Sequence, residues 1–416
     1  MQYFKLAFRN ILRHRTRSIV TIMVVFLGFT AVGAVGGMVN NIFSRLKAQA
    51  VVIEKLGHLT ISKEGFYLNG KMDPEKYMWD RNELDAILDI VRSDPDVEIA
   101  TPRLRLFGVA SNGKASSIFL SEAVVPADDE RLINTPVDNR TDLTGTVTLP
   151  QHRDRVSDVA IGSELSSMLG VGEGQFLTLL TTTVDGMANA VDVDVAHVYN
   201  TGNPATNDKF VLINFDLAQE LYDVDGAERI VVVLKNPNAY EEVRMRLLER
   251  INDAGYPVEV MTWKELSLFY EKVTTMFGVI FRVLSVVITI VILLVMLNTM
   301  IMAVNERTRE IGTMRAIGMQ KRSVVNLFCI EGSIITVIGC LLAFPLLLGI
   351  SNLLAVLKVT FIPPVASAPI PILFMLSPEK LGAAFLLFVM AAIFSSYITS
   401  RRIVRQQVVD SLSHIN

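Results

Sequence analysis

The residue types that support catalysis or metal binding occur without the spacing that such chemistry needs. The five histidines are scattered, and no H-E-x-x-H or other paired-ligand spacing predicts a metal site. No G-x-x-x-x-G-K-[ST] motif is present to hold ATP phosphates, and no G-x-S-x-G motif predicts an activated serine. Asp192 and Asp194 alternate with valines, as on a solvated strand face. We expect no catalysis and no bound cofactor or metal, and any ATP and Mg²⁺ would be bound by a partner subunit.

Three polar residues within long apolar runs could act in other ways. Glu331 is costly there unless it has a partner, water or a nearby interface. It could contact Arg307 or Arg315 in the preceding charged loop, or reach the membrane boundary. Arg282 could reach the outer headgroups or contact an entering amphiphile. Asn298 could form a hydrogen bond across helices, or be buried and satisfied.

Charge and hydrophobicity divide the chain into an acidic segment and a basic, apolar framework. The 416 residues are 51% hydrophobic, with a formal net charge of −3. Residues 41–275 contain 23 Lys and Arg against 37 Asp and Glu, whereas the rest contains 16 against 5. Because the basic residues flank apolar runs and form no groove-sized patch, no nucleic-acid partner is expected. Cys329 and Cys340 both lie in an apolar run, so no disulfide framework is predicted.

Residues 1–17 predict a cytoplasmic interfacial helix, because apolar and basic side chains fall on opposite helical faces. The two faces are Phe4, Phe8, Ile11 and Leu12 on one side and Lys5, Arg9 and Arg13 on the other. No small-residue cleavage site follows the next apolar run, so that run is expected to be retained.

Four apolar runs are long enough to cross a hydrocarbon core of ~30 Å. The predicted spans are residues 18–40, 273–304, 323–357 and 381–400, with Pro345 expected to break the third. Gly33 and Gly37 give the first span a G-x-x-x-G spacing, which could form a dimer seam or serve ordinary packing.

Residues 41–272 predict a mixed α/β domain inserted between the first two spans. Asp80, followed by Glu83 and an apolar stripe, predicts a capped helix to Val91. The Asn112-Gly113 pair predicts a hairpin within residues 104–125, and residues 159–180 predict strand, helix, glycine turn and strand. Later stretches predict a strand and helix over 210–221, a strand over 229–234, a helix over 240–254 and a strand over 258–261. We expect two α/β subdomains, with residues 128–158 as a flexible excursion and residues 263–272 as a stalk helix continuing into the second span.

The distribution of basic residues predicts the orientation. The N-terminus, the 305–322 loop and the tail at 401–416 are rich in Lys and Arg, whereas the proline-rich loop at 358–380 has two. The positive-inside tendency then puts both termini and the 305–322 loop in the cytoplasm and the acidic domain outside. The expected fold is an α-helical membrane protein with four transmembrane helices and a large extracytoplasmic α/β domain.

The segment 305–322 reads NERTREIGTMRAIGMQKR and predicts one short helix lying against another surface. Topology alone would explain its charge, but not its ordered Glu-Ile-Gly and Arg-Ala-Ile-Gly blocks. It resembles the loop of permease subunits in the MacB/FtsX/LolC–LolE group of ABC transporters, roughly E-R-x-x-E-I-G-x-x-R-A-I-G. The matching positions are Glu306, Arg307, Glu310, Ile311, Gly312, Arg315, Ala316, Ile317 and Gly318. The tail also resembles this family, although Arg401-Arg402 replaces the usual P-A-x-x-A.

The resemblance implies that residues 305–322 are a coupling helix docking into a separate ABC ATPase subunit, present in two copies. The implied coupling residues are Glu306, Arg307, Arg309, Glu310, Gly312, Arg315 and Gly318. It further implies a homodimer, or a heterodimer with a second permease, surrounded by lipids in the bacterial inner membrane, with the large domain periplasmic.

The size of the insert, the lack of a fused ATPase and the stretch GHLTISKEGF look most similar to lipoprotein-releasing permeases. The implied function is extraction or release of lipoproteins or other amphiphiles. Alternatives are efflux of peptides or drugs through a tripartite pump, FtsX-like regulation of a cell-wall hydrolase, and a membrane sensor without an ATPase. The sequence leaves the cargo and the choice between homodimer and heterodimer open.

Overall fold

A computed structural model describes residues 2–70, 72–135, 147–149, 156–306, 308–361 and 370–404. The helices in these ranges are α1 (Gln2–Arg13), α2 (Arg15–Ala48), α3 (Phe66–Asn69), α4 (Arg81–Arg92), α5 (Pro126–Ile133), α6 (Ser163–Leu169), α7 (Pro204–Asn207), α8 (Phe215–Tyr222), α9 (Tyr240–Asp253), α10 (Trp263–Leu266), α11 (Leu268–Glu306), α12 (Thr308–Ala316), α13 (Lys321–Leu357) and α14 (Pro378–Val404). A π-helical turn follows α2 at Gln49–Ile53, and 3-10 turns lie at Glu75–Tyr77 and Pro237–Ala239.

The strands in the same ranges are β1 (Leu59–Lys63), β2 (Val97–Arg103), β3 (Phe107–Ser111), β4 (Ser116–Val124), β5 (Asp158–Gly162), β6 (Phe176–Thr182), β7 (Ala188–Tyr199), β8 (Phe210–Asn214), β9 (Arg229–Leu234), β10 (Val258–Thr262), β11 (Thr360–Phe361) and β12 (Ile370–Pro371). The chain divides into two compact units. The helical unit comprises Met1–Ile42, Thr274–Val359 and Pro371–Asn416, and the α/β unit comprises Phe43–Val273 and Thr360–Ile370.

Four helices in the described ranges are long and apolar enough to cross a membrane, in agreement with the four predicted spans. They are α2 with its π-helical turn, α11, α13 and α14. In the helical unit they share a buried core that includes Val25, Ile292, Ala343 and Phe388. A Cβ added at Gly28 would lie 2.5 Å from Ile292 Cδ1, so this glycine allows α2 and α11 to pack closely.

The dimer-seam interpretation of Gly33 and Gly37 is wrong for this structure, because both glycines are buried within their own chain. A Cβ on Gly33 would meet Leu347 Cδ1 at 2.6 Å, and one on Gly37 would meet Phe374 Cβ at 3.1 Å. The small residues therefore serve packing of α2 inside the helical unit.

The predicted break at Pro345 is also wrong, since α13 runs through this residue without interruption. Proline removes one backbone donor and costs about 3 kcal/mol inside a helix. Breaking the helix among apolar side chains would leave several backbone groups without hydrogen-bond partners, and this would cost more free energy than keeping proline in the helix.

The expected continuous stalk helix is interrupted at Ser267, whose φ and ψ are −88° and 82°. Thr262 and Glu265 form a capping box that starts the short helix α10. The Ser267 hydroxyl then accepts a hydrogen bond from the Tyr270 N–H at 3.4 Å, so it caps the start of α11.

Within its described residues, the α/β unit contains a four-stranded sheet and a closed barrel, and its strand β11 pairs separately with β12. The four-stranded sheet is antiparallel, in the order β10-β1-β9-β2, and the barrel has the order β3-β4-β8-β5-β7-β6. A single buried cluster runs from sheet residues such as Ile61 and Ile230 to barrel residues such as Leu179 and Val211. The four-stranded sheet and the barrel are therefore joined by one hydrophobic core.

Local sequence signals predicted most elements of this unit. The Asp80 side chain accepts the Glu83 N–H and caps α4, and β3 pairs with β4 on either side of the Asn112-Gly113 turn, as predicted. The remaining strand and helix predictions in residues 159–261 are likewise confirmed. The flexible excursion was wrong at its start, because α5 is helical and buries Asp129. The later part of that stretch, residues 136–146 and 150–155, lies outside the described residues.

Candidate functional site

The candidate site is the segment joining α11 to α13 in the helical unit. After Glu306 ends α11, the nine residues of α12 form the predicted short helix. Gly318 then takes a φ of +102°, a left-handed conformation that favours glycine, and the chain turns into α13 at Lys321. Arg307 and the side chain of Arg309 lie outside the described part of the structure.

The Glu-Ile-Gly block attaches α12 to the rest of the helical unit. Ile311 is buried against Val324 and Phe328 near the start of α13, and Gly312 is also buried. This apolar contact fixes which face of α12 turns inward. Gly312, predicted as a coupling residue, is thus covered within its own chain.

Two ion pairs connect this segment to the N-terminal helices. Arg13 Nη1 donates to Glu310 Oε1 at 3.0 Å, and Arg17 Nη1 donates to Glu306 Oε2 at 2.9 Å. Exposed pairs of this kind contribute about 0–1 kcal/mol each. Their importance is positional, because one joins α12 to the end of α1 and the other joins the end of α11 to the start of α2.

The ion pairs of Arg13 and Arg17 were not predicted from the sequence. Glu306 and Glu310 were both predicted to contact a partner, whereas each also forms an ion pair inside the chain. A signal was present, since the two arginines and the two glutamates are each four residues apart, the spacing of one helical turn.

The outer surface of this segment exposes an apolar residue among charges. The side chain of Ile317 is 82% exposed at the end of α12, and Lys321 and Arg322 are exposed close by in sequence. Arg315 is half-buried. An exposed branched apolar side chain beside cations is suited to insertion into a partner's pocket with an acidic rim.

Helix α1 differs from the predicted interfacial helix. It ends at Arg13, and its Ala7 and Ile11 are buried where α1 lies against α13. Phe8 and Leu12 are exposed, as an interfacial helix requires, so the helix combines an exposed apolar face with a protein-packed one. The side chains of Phe4 and Lys5 are not among those described.

The structure places the three polar residues of the apolar runs differently. Glu331 is buried in the helical unit, so its side chain does not reach the solvent. Asn298 is exposed, so the interpretation as a buried, satisfied residue is wrong. Arg282 is exposed on α11.

Asn298 belongs to an exposed stripe along α11. In the most apolar 18-residue stretch of α11, only 11% of the residues are buried, against 28–33% in the other three candidate spans. The stripe recurs at intervals of three or four residues and comprises Ile280, Val283, Val287, Val291, Leu294, Asn298 and Ile301. A helix this poorly covered has room for another helix against it.

Comparison with known proteins agrees with this architecture. A family model described as "MacB-like periplasmic core domain" matches residues 18–250, and one described as "FtsX-like permease C-terminal" matches residues 282–408. The chain is 22% identical to the lipoprotein-releasing system transmembrane protein LolC of Xylella fastidiosa over 193 residues, covering 44% of this chain and 45% of LolC. It is 22% identical to the macrolide export ATP-binding/permease protein MacB of Agrobacterium fabrum over 406 residues, covering 96% of this chain and 58% of MacB. The chain thus spans about half the length of these relatives.

Among solved structures, the periplasmic region of MacB from Actinobacillus actinomycetemcomitans superimposes with a TM-score of 0.35 at 10% identity, covering 54% of this chain and 95% of that structure. The extracellular domain of the transporter YknZ gives a TM-score of 0.34 at 9% identity, covering 50% of this chain and all of that domain. Because one family model alone matches more than half of the sequence, the chain belongs to the family of FtsX-like permeases with a MacB-like periplasmic core domain.

Proposed function

We propose that this protein is the permease subunit of an ABC transporter that couples ATP hydrolysis by a separate ATPase subunit to movements of its periplasmic domain. The observation that carries the proposal is the geometry of α12. It is held inward by Ile311 and by the ion pair between Glu310 and Arg13, and Ile317, directly after it, is exposed. A second ion pair joins Glu306, at the end of α11, to Arg17. A short helix that is fixed to the membrane helices on one side and exposed on the other can be displaced by a partner bound to its exposed side.

The ion pairs suggest how a displacement of α12 is transmitted to the membrane helices. Displacement of α12 would act on α11 through the chain, which joins them directly, and on α2 through Arg17 and Glu306. These are the two helices whose sequences continue into the α/β unit, since α2 extends to Ala48 and α11 begins at Leu268. We propose that their coordinated motion changes the α/β unit on each ATPase cycle.

The proposed setting is the bacterial inner membrane, with both termini and α12 in the cytoplasm and the α/β unit in the periplasm. Two permease chains would bind two ATPase copies, with ATP and Mg²⁺ held by the ATPase. The exposed stripe on α11 is the surface we assign to the second permease, identical or different, with Asn298 available for an interhelical hydrogen bond.

For cargo, we propose lipoproteins or other amphiphiles extracted from the membrane, supported by the similarity to LolC. Efflux is the second candidate, because the similarity to the macrolide exporter MacB extends over 96% of this chain. FtsX-like regulation of a cell-wall hydrolase remains an alternative, supported by the FtsX-like match alone.

The test is co-purification of the tagged chain with its ATPase in mild detergent, comparing the unaltered protein with Ile317→Asp. This substitution puts a carboxylate on an exposed side chain and leaves the Ile311 contact and both ion pairs intact. We expect a stoichiometric ATPase with the unaltered chain and at least tenfold less with Ile317→Asp. Ile317→Leu is the matched control and should retain the ATPase.

The ion pairs are tested separately by charge reversal. Glu310→Arg should reduce ATPase-stimulated transport, and adding Arg13→Glu should restore part of it, because the pair is re-formed with opposite polarity. If no ATPase accompanies the unaltered chain, the transporter proposal is wrong and a sensor function replaces it. Bound lipoproteins would favour release, and a co-purifying periplasmic adaptor would favour efflux.

A further inference from the structure

The α/β unit contains an apolar pocket with a charged end. The pocket has a volume of about 510 Å³, which is within the range of small-molecule sites. It lies between the segment that holds Phe66, Tyr67 and Met78 and the barrel strands that contribute Phe107 and Leu120. The charged residues of its lining are Arg105, Glu228 and Arg229.

The charged end offers hydrogen-bond donors to an anion. Arg105 gives Nε and Nη2 to Glu122 Oε2 at 3.2 and 3.1 Å, and its side chain is 41% exposed. Within the described residues, its Nη1 donates to no protein atom. Arg229 is buried and holds both Glu122, at 3.0 Å, and Glu228, at 2.8 Å. The partly exposed guanidinium of Arg105 therefore has N–H groups that bind no protein atom among the described residues, and the buried guanidinium of Arg229 pairs with the same Glu122. Such an arrangement is a suitable site for a carboxylate or phosphate.

Two further features favour a negative head group. Tyr67 lines the pocket, and its phenol, like that of any tyrosine, carries its proton at neutral pH and can donate a hydrogen bond. Burial raises the pKa of Glu228, although attraction to Arg229 and Arg105 opposes this shift, so its negative charge is disfavoured beside the two arginines.

The apolar wall of the pocket continues as an exposed apolar surface. Phe107 pairs with Leu120 across strands β3 and β4, and Val109 pairs with both Ile118 on β4 and Leu180 on β6. These five side chains lie on one face of the barrel, and Ile118 is 65% exposed. A row of exposed apolar side chains on a barrel marks a binding surface, and its continuity with the pocket suits it to the apolar part of a ligand held there.

We propose that this pocket binds an anionic amphiphile with a single alkyl chain, whose carboxylate or phosphate head pairs with Arg105 and whose chain lies along Phe107 and Leu120 and onto the exposed row. This inference deepens the proposed function, because it assigns the α/β unit a direct contact with amphiphilic cargo. The binding needs no ATPase, so it can be tested independently of the transport cycle.

The test is photo-crosslinking of the full chain in phosphatidylcholine nanodiscs with a diazirine-bearing palmitic acid, followed by mapping of the adducts by mass spectrometry. We expect adducts on the segments around Tyr67, Phe107 and Leu120. Unlabelled palmitate and lysophosphatidate should both compete, whereas cetyl alcohol, which has no charged head, should compete about tenfold less well. Palmitate competing far better than lysophosphatidate would identify a carboxylate as the head, and the reverse a phosphate.

Three variants make the result specific. Arg105→Gln should weaken labelling about tenfold while leaving Glu122 paired with Arg229. Ile118→Ser, at an exposed position, should reduce labelling of the row with no effect on folding. Arg131→Gln is the matched control, since Arg131 is an exposed arginine of the same unit outside the pocket lining.

The proposal is overturned if adducts are confined to the membrane helices, or if Arg105→Gln labels as strongly as the unaltered chain. It is also overturned if a co-purifying protein, and no amphiphile, is found bound to the exposed row, since the row would then be a protein interface. Because no ATPase is present, these outcomes are independent of the Ile317→Asp result.

Discussion

At the scale of single residues, the α/β unit buries more charge than its sequence suggests. Lys55 donates to Asp129 Oδ2 at 3.0 Å, and Arg103 Nη2 lies 3.6 Å from Asp129 Oδ1, with all three side chains almost inaccessible. Burial lowers the pKa of Lys55, against the attraction of Asp129. One carboxylate therefore compensates two buried cations at the place where the π-helical turn, α5 and β2 meet.

This arrangement predicts that Asp129→Asn strongly destabilises the α/β unit, by about 3–5 kcal/mol, since it leaves two buried cations without their anion. The neighbouring Asp128→Asn should change stability by less than about 1 kcal/mol, because Asp128 makes only a 4.0 Å contact with exposed Arg131. Unfolding of the full chain by urea can be followed by tryptophan fluorescence, since Trp79 and Trp263 both lie in this unit. Equal midpoints for the two variants would contradict the prediction.

At the scale of elements, the glycines of α2 show why a spacing motif is ambiguous. A G-x-x-x-G pair marks a helix face that can be approached closely, but it carries no information on whether the approaching helix belongs to the same chain. Here Gly33 meets Leu347 of α13, so the approach is intramolecular.

We therefore expect Gly33→Leu to destabilise the helical unit by about 1–3 kcal/mol through overpacking. Gly349→Leu is the control, because no atom lies within 4 Å of a Cβ added there. A thiol-reactive dye can report thermal unfolding of this unit, since Cys329 and Cys340 both lie in it. An unchanged melting temperature together with loss of dimers would instead restore the intermolecular seam.

At the scale of the whole molecule, the exposed stripe of α11 predicts the assembly. In a background without native cysteines, Val287→Cys should form a disulfide with a second permease chain upon mild oxidation, because α11 helices would meet along this stripe. Met390→Cys, at a position on α14 that is even more exposed, should not. A product of twice the chain mass would indicate a homodimer. A heterodimer would be cross-linked only if a cysteine is also placed on the facing helix of the second permease, because a disulfide needs a thiol from each chain.

If Met390→Cys cross-links and Val287→Cys does not, the assembly uses α14 and the assignment of the stripe is wrong. The same outcome would leave the exposed residues of α11 as a lipid-facing surface.

Much of the fold was predictable because its signals are local. The four apolar runs, the Asp80 cap and the Asn-Gly hairpin each depend on residues close together in sequence, whose backbone preferences act over a few residues. The position of α12 between two apolar helices follows from the same local reading.

Contacts between distant segments were decided only by the tertiary structure. The sequence by itself determined most of the helices and strands and which family the loop resembles, but not the break at Ser267, the unbroken helix through Pro345 or helix α5. It could not show that Arg13 pairs with Glu310, that Asn298 is exposed, or that Arg105 lies at the end of an apolar pocket. These facts depend on which faces of the helices and strands meet after the chain folds. Helix capping and turn formation are encoded in short stretches of residues, but the packing of distant side chains is not.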